Sequence, residues 1–143
     1  MRTQEGTTML ELVTVLAIVA VLAAVAVPGA SRVRAAVSAG EAARRLALVL
    51  RSAQAEAQSS ASRVRVEVAS GGDYVVREES GATVMSGSLG TGVRSPYPGG
   101  TLEFGARGWA GLPGATSPRA GHFDFDGTSD TVIVQLSGCV RCG

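Results

Sequence analysis

The feature that most constrains this chain is an apolar run close to its start: Met9 to Val27 reads MLELVTVLAIVAVLAAVAV, interrupted only by Glu11 and Thr14. A bilayer core is crossed by about 20 helical residues at a rise of about 1.5 Å each, so a run of this length predicts a helix able to span. The Leu, Ile and Val residues from Leu12 to Val27 favour insertion by roughly 3 to 6 kcal/mol together, against about 2.5 to 3.5 kcal/mol for one central acid. Insertion wins, and Glu11 stands near one end of the run, where its cost falls further. What is left of 143 residues suffices for one small head, and a large catalytic cleft is not expected in it.

A carboxylate inside such a run needs a partner, because intramembrane charges pair and mark function. Ahead of it lies Met1 to Gly6 (MRTQEG), a short polar leader ending in a residue with no side chain to obstruct a protease. Cleavage after Gly6 would create an ammonium at Thr7, four residues before Glu11. In a bundle of such helices each Glu11 would meet the new N-terminus of a neighbour displaced along the axis, which neutralises both charges and sets a register. Two simpler readings share the same run. One is a secretory signal with Arg2 as its charged start and Ala24-Val25-Ala26 as its cleavage site; the other is a plain single-pass anchor. Both leave the Gly6 boundary and Glu11 without a role.

The segment Gly6-Thr-Thr-Met-Leu-Glu11-Leu, the apolar run after it and Pro28 resemble the N-terminus of type IV prepilins and pseudopilins. The resemblance implies that a prepilin peptidase cuts after Gly6 and methylates Thr7, and that Glu11 acts in assembly. Members of that family usually carry Phe after the cut; Thr7 departs from this, which suits a minor subunit better than the bulk one.

Pro28-Gly29 can kink the helix without ending it, since helical periodicity resumes with Val33, Val37, Leu46, Leu50, Ala53 and Ala57 on one stripe. The helix is expected to reach about Ser60, with Gly40 as a weak point and Glu41 paired to Arg44 and Arg45 on its solvent face. Beyond SSAS the period changes to two. Arg63 to Val68 alternates charge and valine as a half-buried strand, Ser70 to Asp73 supplies a turn, and Tyr74 to Arg77 returns as its hairpin partner. Further strands are expected around Ala82 to Met85, Thr101 to Phe104, His122 to Phe125 and Thr131 to Leu136, with Asp126-Gly127 turning between the last two. The Gly- and Pro-rich stretches Gly87 to Gly100 and Gly105 to Gly121 read as irregular loops and as partner-contact surface.

The two periods give a long N-terminal helix, transmembrane in its first half and amphipathic in its second, followed by strands; the α+β class, with an antiparallel β-sheet head packed against that helix, is what a likeness to minor pilins and pseudopilins implies. The divisions are residues 1–6 as leader, 7–28 as transmembrane and assembly helix, 29–61 as its amphipathic continuation and 62–143 as the head. The stretch Leu46 to Ala57 leading into Val64-Arg-Val-Glu-Val, the Leu102-Glu-Phe segment running to Gly108, and Ser137-Gly138 before a basic tail resemble the GspH/FimT group of minor pilins and pseudopilins. That likeness implies a place in a type II secretion pseudopilus or a type IV pilus.

All 13 basic residues are Arg, against 12 acids, so the near-neutral balance argues against a chain-wide field for nucleic acid. DNA-binding members of the group resemble one another in a Gly-Arg-x-Arg tail. This chain reads Gly138-Cys139-Val140-Arg141, which keeps only Arg141 as a candidate DNA contact, and phosphate affinity scales with the number of contacts. A pilus-tip DNA receptor is thus the alternative reading. Cys139 and Cys142 have C-x-x-C spacing without the strand-helix setting of a thiol oxidoreductase; the favoured reading is a local disulfide, which needs a turn at Val140-Arg141 because residues three apart in a strand lie about 10 Å apart. His122 reads as a strand residue, Trp109 as a partner anchor or a cover for the core, and Asp124, Asp126 and Asp130 as a strand and turn, not a calcium loop. No catalytic residue, metal ligand or cofactor is expected. The expected partners are a prepilin peptidase, other pilin or pseudopilin subunits and the inner membrane, with the head outside the cytoplasm.

Overall fold

The structure is a computed structural model that describes residues 9–143, the side chains of residues 24–36 excepted. Its contacts divide the chain into two compact units, Met1–Ala35 and Ala36–Gly143. One helix, α1, runs Met9–Ser59. Its assignment continues through Pro28, as the sequence allowed; the side-chain environment of a kink there lies outside the description. Among the described residues no helix is long and apolar enough to cross a membrane, and the apolar run of the sequence passes out of the described side chains after Ala23.

Nine strands follow: β1 Val64–Val68, β2 Asp73–Glu78, β3 Thr83–Ser88, β4 Val93–Arg94, β5 Thr101–Phe104, β6 Ala110–Gly111, β7 Gly121–Phe125, β8 Thr131–Val134 and β9 Val140–Cys142, with one 3-10 turn at Pro98–Gly100. They form two antiparallel sheets, in the orders β3-β2-β1-β5-β6 and β4-β7-β8-β9. The alternation seen in the sequence decides the faces. Val64, Val66 and Val68 are buried while Arg65 is exposed, and Val132 and Val134 are buried while Ile133 is exposed.

The inner faces of both sheets meet one side of the helix between Ala39 and Ala57 in a single core, with Leu46, Leu50, Phe104 and Phe123 fully buried. The buried helical stripe is richer in alanine than the sequence suggested: Ala39, Ala42, Ala43 and Ala47 line it. Val37, expected on it, is exposed. Three polar side chains along the helix reach past the core to grip the head. Arg45 donates to the Ser88 carbonyl at 3.2 Å, Arg51 donates Nε and Nη2 to the Val140 carbonyl at 3.3 and 2.9 Å, and Gln54 donates to the Gly108 carbonyl at 2.8 Å.

Arg45 is therefore not spent on Glu41; among the described residues no ion pair joins Glu41 to Arg44 or Arg45. Nor is Gly40 merely a weak point. A Cβ there would come within 3.0 Å of the Asp130 carboxylate, so its absence admits the loop between β7 and β8.

Candidate functional site

The first unit presents the plainest chemical anomaly. Every Met, Leu, Ile and Val from Met9 to Leu22 is more than half exposed. These residues point in all directions around the helix, and a helix that is apolar all round is a buried one. A shallow groove lined by Ala17, Ile18, Val21 and Leu22, of about 280 Å³, lies on it. Thr14 hides its hydroxyl by donating back to the Leu10 and Glu11 carbonyls at 2.7 and 3.0 Å, which leaves Glu11 as the one charged residue between Met9 and Ala23. Gly6 and Thr7, where leader cleavage and N-methylation were read, lie outside the described residues.

In the second unit the residues that sequence resemblance singled out fall at one junction. Gly108 ends the Leu102-to-Gly108 segment and Gly138 precedes the tail, and both have φ near +80°, where a side chain is strained. A Cβ on Gly138 would collide with the Gly108 carbonyl, the group that Gln54 holds. Two turns, each needing a glycine, thus close on one helical glutamine. Arg51 and Gln54 escaped notice because a polar residue beside an apolar stripe reads as solvent-facing. Their signal was only that they border the stripe at 46, 50, 53 and 57.

A second polar cluster lies on the outer face of the five-stranded sheet. Glu103 is the one buried charged residue among those described. It accepts from Arg63 at 3.4 Å, from Arg65 at 3.3 Å and from the Gly114 amide at 3.4 Å. Arg65 lies opposite both Arg77 and Glu103 in the ladder, so the carboxylate answers the repulsion of a like-charged cross-strand pair while Glu67 approaches Arg77 at 4.0 Å. Three arginines meet two carboxylates here, and the cluster pins the Gly114 loop over the sheet. Tyr97 is also buried, its hydroxyl donating to the Arg119 carbonyl at 3.1 Å and its ring 5.7 Å from that of Phe123. Burial pushes its phenol up to about 12, with the Arg119 charge opposing.

The remaining candidates disperse. His122 stands exposed on β7 with Nε2 3.8 Å from Asp124. The Asp126 carboxylate lies against Gly92 and that of Asp130 against Gly40, so the three aspartates face three different neighbours. The ring of Trp109 lies half-buried against Gly105 and Gly111. Arg141 is exposed on β9 opposite Ile133. Cys139 and Cys142 are both free and exposed. The bend expected at Val140-Arg141 is not there: those residues are extended in β9, and the chain turns earlier, with the Gly138 amide donating to the Gln135 carbonyl at 2.8 Å. In this arrangement the two thiols are unbonded, and the hairpin with β8 and the burial of Val140 hold the tail straight.

No protein-family model and no curated protein matches the sequence. Among solved structures the chain is similar to the type IV minor pilin FimU of Pseudomonas aeruginosa in two crystal forms. In one, 16% of residues are identical, 73% of this chain and 87% of that chain are covered, and the TM-score is 0.61. In the other the values are 18%, 71%, 90% and 0.56. At these identities the likeness is one of fold. This chain has the α+β fold of a type IV minor pilin.

Proposed function

We propose that this protein is a minor pilin or pseudopilin: a structural subunit, without chemistry of its own, that joins other pilin-like subunits in a type IV pilus or a type II secretion pseudopilus through its N-terminal helix. The observation that carries the reading is the uncovered apolar surface from Met9 to Leu22, with Glu11 set in it, on the same helix that docks a head of minor-pilin fold. At about 25 cal/mol per Å² such a surface strongly favours being covered. The inner membrane covers it before assembly and neighbouring helices cover it afterwards. A prepilin peptidase cleaves between Gly6 and Thr7 and methylates Thr7, and the ammonium so formed meets Glu11 of an adjacent subunit.

Intact-mass measurement of the protein from a host with an active prepilin peptidase tests this, with an N-terminus at Thr7 carrying one methyl group expected. A mature chain beginning at Val27 would instead identify a secretory signal and remove the assembly helix altogether.

A further inference from the structure

The tail of the head carries two thiols whose fold-imposed separation has a chemical outcome. β9 pairs with β8 in the register Val132↔Cys142, Ile133↔Arg141 and Val134↔Val140. The ladder is closed at one end by the Thr131 amide to the Gly143 carbonyl at 3.3 Å and its reciprocal at 2.9 Å, and at the other by the Gln135 amide to the Cys139 carbonyl at 2.9 Å. In such an antiparallel pair successive residues alternate between bonding to the partner and facing away. The Val140 carbonyl is one that faces away, and Arg51 takes it with two N–H groups. Val140 itself is buried. Side-chain alternation puts Cys142 on the same side as Val140, with Sγ 4.0 Å from the Ala43 carbonyl on the helix. Both cysteines are exposed, but Cys139 sits in the turn while Cys142 is held in the paired strand with its Sγ toward the helix. Three residues of extended chain separate their Cα atoms by about 10 Å, beyond the roughly 7 Å that a disulfide can bridge.

We propose that Cys139 is a site of thiol–disulfide exchange with an external low-molecular-weight disulfide, and that its closure onto Cys142 and the pairing of β9 exclude one another. With oxidised glutathione as reagent, the Cys139 thiolate attacks one sulfur of the reagent, the glutathione S–S bond breaks, and one glutathione leaves as thiolate. The protein then carries a mixed disulfide. Closure requires the Cys142 thiolate to attack the Cys139 sulfur, forming the internal bond and expelling the second glutathione. In sum two protein thiols lose two electrons and two protons, and one glutathione disulfide becomes two glutathione thiols. The first step meets an exposed group. The second must wait for β9 to leave β8, which exposes Val140, frees Arg51 and turns β8 into an open sheet edge. This inference does not depend on how the N-terminal helix is used.

The test is a time course of the full-length protein in detergent with oxidised glutathione, acid-quenched and read by intact mass and peptide mapping. The mixed disulfide on Cys139 is expected to accumulate first, with the internal disulfide following at least about tenfold more slowly, the rate effect of withholding a group behind one strong hydrogen bond. Arg51→Ala should speed the second step about tenfold and leave the first unchanged. Cys142→Ser should stop at the mixed disulfide. Hydrogen exchange on the oxidised protein should show the Gln135 and Gly143 amides deprotected while those of β7 stay protected. The proposal is overturned if the internal disulfide forms as fast as the mixed one, if both amides stay protected after it forms, if the adduct falls mainly on Cys142, or if Arg51→Ala leaves the second step unchanged.

Discussion

Two stretches of one helix treat the same kind of residue in opposite ways. Between Ala39 and Ala57 the apolar side chains on one face are buried by the chain's own sheets, and the exposed face carries Glu41, Arg44, Arg45 and Arg51. Between Met9 and Leu22 the apolar side chains are exposed on every side. The first stretch is an ordinary amphipathic helix satisfied within its own fold. The second is left uncovered among the described residues, and in the proposed reading an assembly or a membrane supplies the cover. A helix can thus be finished at one end and unfinished at the other, and the sequence distinguishes the two ends by periodicity alone.

The sharpest way to break this contrast is at Glu11. If that carboxylate is matched by a charge on a neighbouring subunit, Glu11→Ala leaves a buried charge unpaired at about 3 to 5 kcal/mol. Incorporation into sheared filaments, read by immunoblot, should then fall by at least about a hundredfold, while the thermal unfolding of the head is unmoved. Normal incorporation of the variant would end the assembly reading.

A pair of truncations separates the two stretches directly. Leu50→Ala, in the fully buried stripe, should lower the unfolding free energy of the head by about 2 to 5 kcal/mol. Leu16→Ala, on the exposed stretch, should change it by less than about 0.5 kcal/mol. Chemical denaturation of both variants in detergent decides; equal losses would mean that the apolar stretch is covered by its own head.

The head should also report its own burial through pH. Tyr97 ionises near 10 in the unfolded chain and near 12 in the fold, so the fold keeps a proton that the unfolded chain gives up. The stability that this difference represents is complete below pH 10 and is lost as pH rises through 12, by about 2.7 kcal/mol for two pH units. Tyr97→Phe should flatten that part of the denaturation profile, at a lower overall stability of about 1 kcal/mol from the lost bond to Arg119. The smallest effect is expected at Arg141, whose replacement by Ala should leave any retardation of DNA by the protein unchanged at moderate salt, since one guanidinium supplies one phosphate contact. Tight binding abolished by that change would favour the DNA-receptor alternative.

Much of this architecture was legible in the residues. The helix end, the alternation of β1, the turn before β2 and the strands at 101–104 and 121–125 follow from periodicity and from clusters of Ser, Gly and Asp, which are local signals. The elements that stayed hidden are held from a distance. β4 has two residues and exists because Val93 and Arg94 lie opposite Phe125 and Asp124; β6 exists because Gly111 lies opposite Glu103. The Gly-rich stretches around them look irregular, yet Leu89, Val93 and Tyr97 are core residues, placed there by turns that no local pattern announces. The course of the tail was hidden for a related reason. C-x-x-C spacing suggests a bend, whereas pairing with β8 and the Arg51 contact, both remote in sequence, impose an extended strand. At the N-terminus the opposite holds: the apolar run and its lone acid are legible, and the cleavage that would give them meaning lies outside the described residues.

The three grips of the helix on the head, from Arg45, Arg51 and Gln54, all close on carbonyl oxygens at Ser88, Val140 and Gly108. A peptide carbonyl is a feature that every residue type shares. Segments tethered in this way can therefore exchange most of their side chains over evolutionary time without slipping from the shaft, provided that the few helical donors and the two facing glycines are retained. Heads with quite different outer surfaces can ride on one kind of stem.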